Sequence, residues 1–195
     1  MPARPPEASA SRSPAATASG QAPTRRAWIG LGANLGEPEP ALAAALTALA
    51  ALPDTRLVAL SSLYRSAPVD AAGPDFLNAV AVFDTRLAPA ELLAAMHTIE
   101  AAAGRERPYR NAPRALDLDL LLHGDTRSET AALTLPHPRM HLRAFVLAPL
   151  AELADDLMLP GHGPVATLLR QARNQRIERL PAGPGWPGPL QLPTN

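Results

Sequence analysis

The chain has 195 residues with 18 basic and 18 acidic side chains. That is enough for one ordinary domain with its own core, and there is no net field to recruit nucleic acid or an anionic membrane. Lys and Cys are both absent, which excludes a Lys-dependent phosphate loop, disulfides and thiolate metal sites. No apolar run reaches the roughly 18 residues that a membrane span needs. The Arg25-Arg26 pair precedes only a short apolar stretch broken by Gly30, Gly32 and Asn34. It therefore does not read as an export signal, and a cytoplasmic chain is expected.

Residues 1–25 are rich in Ala, Pro, Ser, Thr and Arg without apolar periodicity, and predict a disordered tail. Residues 181–195 are dense in Pro and Gly and predict a flexible one. The folded domain is then 26–180. Ala27–Leu31 reads as a strand entering a glycine loop, Gly30 to Gly36. Pro38–Leu52 is Ala/Leu-rich with Pro near its start and reads as a helix. Arg56–Arg65 reads as a single strand, 66–75 as a Pro-containing loop, and Phe76–Thr85 as another strand. Pro89 opens a helix to about Ala103, with Leu92, Leu93, Met96 and Ile99 on one stripe, and Gly104 stops it. Leu133–Leu135 predicts a short edge strand. Arg139–Leu153 predicts short helices interrupted by Pro149, Val165–Ala172 a last helix, and Ile177–Leu180 a last strand. The order β-α-β-β-α-β fits an α+β, ferredoxin-like sandwich with a mostly antiparallel sheet. Helices are expected on one face and an open face for ligands on the other.

Gly104–Leu122 is the most informative stretch. Arg105, Arg107, Arg110 and Arg114 put four guanidinium groups into a short loop broken by Pro108 and Pro113. Alternating Leu and Asp then predict a strand from Leu116 to Leu122. Period two puts Asp117 and Asp119 on one face, roughly 6–7 Å apart. That spacing suits a pair of hard divalent cations about 3.5–4 Å apart on a shared phosphate. Guanidinium forks take phosphate oxygens in pairs. On these residues alone, a solvated basic loop before a water-facing strand is the more common reading, roughly two cases in three, because charge runs are usually solvated faces.

Six motifs in order settle the choice. They are Gly30-Leu31-Gly32-Ala33-Asn34-Leu35-Gly36, Leu63-Tyr64-Arg65-Ser66-Ala67-Pro68, Asp75-Phe76-Leu77-Asn78-Ala79, Ile99-Glu100 with Gly104 to Arg107, Pro113 to Asp119, and Pro136 to Met140 with Arg143-Ala144-Phe145. From about Trp28 to Leu169 the chain resembles the 6-hydroxymethyl-7,8-dihydropterin pyrophosphokinases of folate biosynthesis. The resemblance implies a ferredoxin-like fold and diphosphate transfer from ATP to the pterin hydroxymethyl group. ATP is the co-substrate, AMP is released, and a pair of Mg²⁺ ions assists.

The resemblance also distributes roles. Asp117 and Asp119 hold the metal, with Arg105 and Arg114 following the phosphates as charge moves. Phe76 and Phe145 sandwich the pterin, Asn78 reads its edge by offering donor and acceptor together, and Ser66, Ala67 and Pro68 complete that wall. His97, Glu100, Arg107, Arg110, Leu120, Thr134, His137 and Arg143 contact ATP, with Glu100 toward the nucleoside. Asn34, in the glycine loop, helps to shape the pterin pocket. The chain departs from the usual pattern at Asn111-Ala112, His97 and Leu142. The partners implied are small molecules, with no nucleic acid and no membrane, and the chain is expected as a monomer. A dinucleotide-binding oxidoreductase fits less well, because the third glycine comes late and Asp54 precedes the second strand instead of ending it. A non-catalytic relative is opposed by the intact Asp117, Asp119 and Arg114. His137 and His141 at i, i+4 lack the third ligand a zinc site needs.

Overall fold

The computed structural model describes residues 22–68, 73–104 and 115–192. Its elements are β1 (Arg25–Ala33), α1 (Pro38–Ala50), β2 (Thr55–Leu60), β3 (Tyr64–Ser66), β4 (Phe76–Thr85), α2 (Pro89–Ala102), β5 (Asp117–His123), β6 (Ser128–Glu129), β7 (Thr134–Leu135), a 3-10 turn (Met140–Leu142), α3 (Ala144–Leu153), β8 (Met158–Leu159), β9 (Gly163–Pro164), α4 (Val165–Gln171) and β10 (Ile177–Arg179). The main sheet runs β10-β3-β4-β1-β5, with β2 also on β4, and its pairings are antiparallel. This is the expected α+β, ferredoxin-like arrangement. β1 lies inside the sheet between β4 and β5, its residues from Ala27 on being apolar or glycine, and β5 is an edge strand.

Alternation sends two apolar sets to opposite faces. Ile29, Leu31, Ala81, Phe83, Leu118 and Leu120 pack with Leu42, Leu46 and Leu49 of α1 and Leu92 and Met96 of α2. Trp28, Val58, Val80, Val82 and Leu122 pack with Val146, Leu147 and Leu150 of α3 and Val165 and Leu168 of α4. The sequence pattern predicts an open second face; instead α3 and α4 cover one end of it. Among the described residues, the end carrying Gly30, Gly32, Asn78 and the Asp pair is left for a site.

Four further expectations need correcting. Gly30 and Gly32 lie inside β1 and not in a loop. The strand expected over Arg56–Arg65 divides into β2 and β3. At the break, the Ser62 N–H and hydroxyl are diverted to Glu152 (2.9 and 2.8 Å), and the Ser61 hydroxyl replaces a backbone acceptor for the Val80 N–H (2.9 Å). Pro149 does not interrupt α3. The loss of one helix bond, about 3 kcal/mol, is offset by burial of Val146 to Leu150. Finally, residues 181–192 are docked on the domain. Trp186 is 4 % exposed, its indole N–H donates to Ser61 O at 3.0 Å, and Leu190 exchanges backbone bonds of 2.8 Å with Leu60. Composition alone missed this because one buried indole outweighs the conformational freedom of several Pro and Gly residues. At the other end Arg25 already pairs with Thr85, and residues 1–21 lie outside the described ones.

Candidate active site

The site grows from the register of three strands. Gly32 of β1 lies opposite Asp117 of β5 on one side and Asn78 of β4 on the other. Gly30 stands likewise between Asp119 and Val80. With strands about 4.8 Å apart, the Asp117 and Asn78 backbones are about 10 Å apart with only a glycine between them. A Cβ on Gly32 would lie 3.4 Å from Asn78 Oδ1, and one on Gly30 would lie 3.6 Å from a Leu121 methyl. The glycines therefore make a flat floor walled by an amide on one side and carboxylates on the other.

The amide wall is held tightly. Asn78 is 5 % exposed. Its Nδ2 donates to Ser66 Oγ at 3.0 Å and, more weakly, to the Tyr64 carbonyl at 3.5 Å. A backbone carbonyl can only accept, so this fixes the amide orientation and turns Oδ1 toward the Gly32 floor. The expectation that Asn78 offers donor and acceptor together is corrected, since only the acceptor remains for a ligand. Phe76 is the next residue along the same face and is half-buried. Ala67 and Pro68 follow β3 at the edge of the described residues. Asn34 is buried and donates to Pro74 O at 3.1 Å, tying the end of β1 to the segment that leads into β4.

The carboxylate wall gathers charge. Arg143 Nη1 and His137 Nε2 each lie 3.9 Å from Asp119, on its two oxygens. The Arg143 guanidinium also sits 5.3 Å above the Phe145 ring, so Phe145, Arg143 and Asp119 form one group. Burial lowers the His137 pKa, the nearby Asp119 opposes this, and Arg143 reinforces it. His137 is therefore a neutral imidazole beside a carboxylate at pH 7, not half of an ion pair. Its Nδ1 accepts the Arg139 N–H at 3.4 Å, so Nε2 carries the proton and presents a donor.

Outside β5 lies a cleft of about 240 Å³ lined by Leu93 and His97 of α2, Leu118 to Leu120, Leu133, Thr134 and His137. Four residues expected at ATP, His97, Leu120, Thr134 and His137, thus meet in one place. The Leu118 N–H points away from β1, to Glu100 Oε1 at 2.9 Å. By alternation the Leu120 N–H and C=O also face the cleft. Glu100 itself corrects an expectation. It is 0 % exposed and serves as a strut between α2 and β5, not as a surface for a nucleoside. Arg105, Arg107, Arg110 and Arg114 lie outside the described residues.

Asp119 lines the cleft and Asp117 shares its strand face, and two such carboxylates suit Mg²⁺. That ion is held by one or two carboxylates and completes its shell with water and substrate phosphate. Among the described residues no three His, Cys, Asp or Glu side chains converge. His137 faces Asp119, whereas His141 stacks on His162 with ring centroids 3.6 Å apart.

The model of the 7,8-dihydro-6-hydroxymethylpterin-pyrophosphokinase family matches residues 28–155. The chain belongs to that family. Curated relatives named 2-amino-4-hydroxy-6-hydroxymethyldihydropteridine pyrophosphokinase include one from Pseudomonas aeruginosa, 49 % identical over 158 residues, covering 80 % of this chain and 98 % of the relative. Another, from Haemophilus influenzae, is 43 % identical over 155 residues and covers 79 % and 97 %. The crystal structure of wild-type Plasmodium falciparum HPPK-DHPS with pterin and p-hydroxybenzoate superposes with a TM-score of 0.62. It is 14 % identical and matches over 78 % of this chain and 44 % of that longer one, so it supports the fold alone. The pyrophosphokinase family is one of diphosphotransferases that use ATP, and the chain is one of its enzymes.

Sequence reasoning missed the glycine floor of this pyrophosphokinase site and two features that brace the domain around it. The period-two spacing of Gly30 and Gly32 among Ile29, Leu31 and Ala33 could have marked a strand floor. The Glu152 hub on α3 and the docked Trp186 gave no local signal, because each is defined by partners far along the chain.

Proposed function

We propose that the chain transfers the β,γ-diphosphate of ATP to the hydroxymethyl group of 6-hydroxymethyl-7,8-dihydropterin. ATP would occupy the cleft outside β5, and the pterin would lie on the Gly30–Gly32 floor. One observation carries this reading. Asp117 and Asp119 stand between an edge-reading amide and a cleft that gathers the expected ATP contacts. A reaction that joins two substrates needs its charge-neutralising groups on the border between their sites.

In the proposed reaction the pterin alcohol oxygen forms a bond to the β-phosphorus as the bridging α–β oxygen leaves with AMP and the alcohol gives up its proton. Mg²⁺ ions held by Asp117 and Asp119 would neutralise the triphosphate. Asn78 Oδ1 takes an N–H from the pterin edge, and Ser66 holds the amide so that it can. Phe76 and Phe145 offer flat apolar faces for the ring, with Ala67 and Pro68 bordering it. His137 Nε2–H and Arg143 offer donors to phosphate oxygens, with His97 and Thr134 across the cleft. The outward Leu120 N–H and C=O pair with the base edge. Arg105, Arg107, Arg110 and Arg114 supply positive charge to the phosphates, and Arg114→Ala is expected to lower kcat more than it weakens ATP binding. We read the chain as a cytoplasmic monomer. Among the described residues no helix is long and apolar enough to cross a membrane.

Mass spectrometry of a reaction holding the chain, ATP, Mg²⁺ and the reduced hydroxymethylpterin tests the reading. Equimolar AMP and pterin diphosphate are expected. ADP with pterin monophosphate, or no transfer, would overturn it.

A further inference from the structure

The polar C-terminal end of α3 lies away from the reacting groups. Glu152 is nearly buried, with its side chain 9 % exposed. Its two oxygens accept four hydrogen bonds, from Ser62 N (2.9 Å), Ser62 Oγ (2.8 Å), Tyr64 OH (3.1 Å) and Arg179 Nη2 (2.7 Å). Arg179 Nε also donates to Ser62 Oγ at 3.0 Å. A buried carboxylate is tolerated only when paired and hydrogen-bonded, and here every donor comes from the segment leading into β3 or from its neighbour β10. Burial first, and then the Glu152 carboxylate, raise the Tyr64 pKa and keep the phenol a donor.

Glu152 follows Phe145 by seven residues, close to two helical turns, so both occupy one face of α3 about 10 Å apart along its axis. The start of α3 is pinned separately. Gln175 Oε1 accepts the Ala144 N–H at 2.9 Å and Gln175 Nε2 donates to Leu142 O at 2.7 Å. The helix that carries Phe145 is therefore fastened at both ends, and its Glu152 end is tied to the strand that carries Ser66 and Tyr64. Those two residues in turn hold the Asn78 amide.

We infer that Glu152 is a positioning residue for pterin binding. It sets the Phe145 ring and the Asn78 amide at a fixed distance from each other by locking α3 to β3. The inference rests on the pterin reading proposed above. Glu152 touches no substrate; it acts through the width of the slot. Misplacement of a bound group by about 1 Å costs on the order of 10²-fold in rate. Losing part of this lock therefore raises the pterin KM, while Leu93, His97 and Leu120 of the ATP cleft stand on α2 and β5, outside the lock.

The test is a graded series in the full chain, with KM measured for both substrates and Tm recorded alongside. Tyr64→Phe removes one of the four bonds, Arg179→Met removes the charged partner, and Glu152→Gln sets an NH2 against donors. The pterin KM is expected to rise from about threefold in Tyr64→Phe to about tenfold or more in Glu152→Gln, with the ATP KM within about twofold. A merely structural role would lower Tm without separating the two KM values, and that result would overturn the inference. If Glu152→Gln does not fold, Tyr64→Phe and Arg179→Met carry the same comparison. Phe145→Ala separates this inference from the reading beneath it. A raised pterin KM there, with unmoved Tyr64 and Glu152 variants, defeats the positioning role alone. An unmoved KM in Phe145→Ala as well defeats the pterin reading and the inference together.

Discussion

Gly32→Ala probes the floor of the site with one methyl group. Gly32 has no positive φ, so Ala fits its backbone, and an interior strand position gains about 0.5–1 kcal/mol from the loss of glycine freedom. The new Cβ would stand 3.4 Å from Asn78 Oδ1, an ordinary contact that strains nothing. It would, however, cover the single acceptor that Asn78 has left for a ligand. Leaving a buried hydrogen bond unmade costs about 1–3 kcal/mol, which is about 5- to 150-fold in affinity at 25 °C. The variant should keep or slightly raise its Tm, raise its pterin KM by about that factor, and keep its ATP KM. Steady-state AMP formation with each substrate varied, beside a thermal melt, measures all three. Gly36→Ala is the matched control. Gly36 has φ +63°, and a Cβ added there would meet nothing within 4 Å. That variant should lose about 1–2 kcal/mol of stability and leave the pterin KM alone. A Gly32→Ala enzyme with an unchanged pterin KM would refute the floor.

Other predictions follow the same geometry. Asn78→Asp keeps an acceptor where Oδ1 stands and should retain pterin binding better than Asn78→Leu; the reverse order would contradict the amide orientation. Trp186→Ala should cost about 3–5 kcal/mol of stability in denaturant titration, and a loss below about 0.5 kcal/mol would show that the C-terminal segment does not brace the domain. For the His141–His162 stack, burial first and His162 second lower the His141 pKa from 6.5. The unfolded chain therefore binds this proton more readily. The stability contributed by neutral His141 is full above pH 6.5 and falls as pH drops below it. Tm should decline from pH 7 to 5, and less steeply in His162→Ala; equal slopes would argue against the stack as a cause.

What was legible in the chain follows from how local each signal is. The Leu-Asp alternation of 116–120 and the apolar stripe of α2 are local, and both elements stand where periodicity put them. Asp117 and Asp119 were readable for the same reason, since a strand fixes which side chains share a face. The break between β2 and β3 was not readable, because it depends on Glu152, 90 residues beyond Ser62. Burial of Glu100 was hidden too. A helix stripe does not reveal that a carboxylate on it will accept an N–H from a strand edge 18 residues on. Trp186 shows the limit of composition, which reports what a segment can bury on its own and not what the domain offers it.

The central claim is that Asp117 and Asp119 together serve the metal-bound triphosphate at the border of two substrate sites. The most direct measurement is the rate of AMP formation against Mg²⁺ concentration for the unmodified chain, Asp117→Ala and Asp119→Ala, with Tm recorded for each. The unmodified chain should respond to Mg²⁺, and both variants should lose turnover by orders of magnitude at every Mg²⁺ concentration while melting within a few degrees of it. Mg²⁺-dependent turnover surviving in both variants would contradict the account.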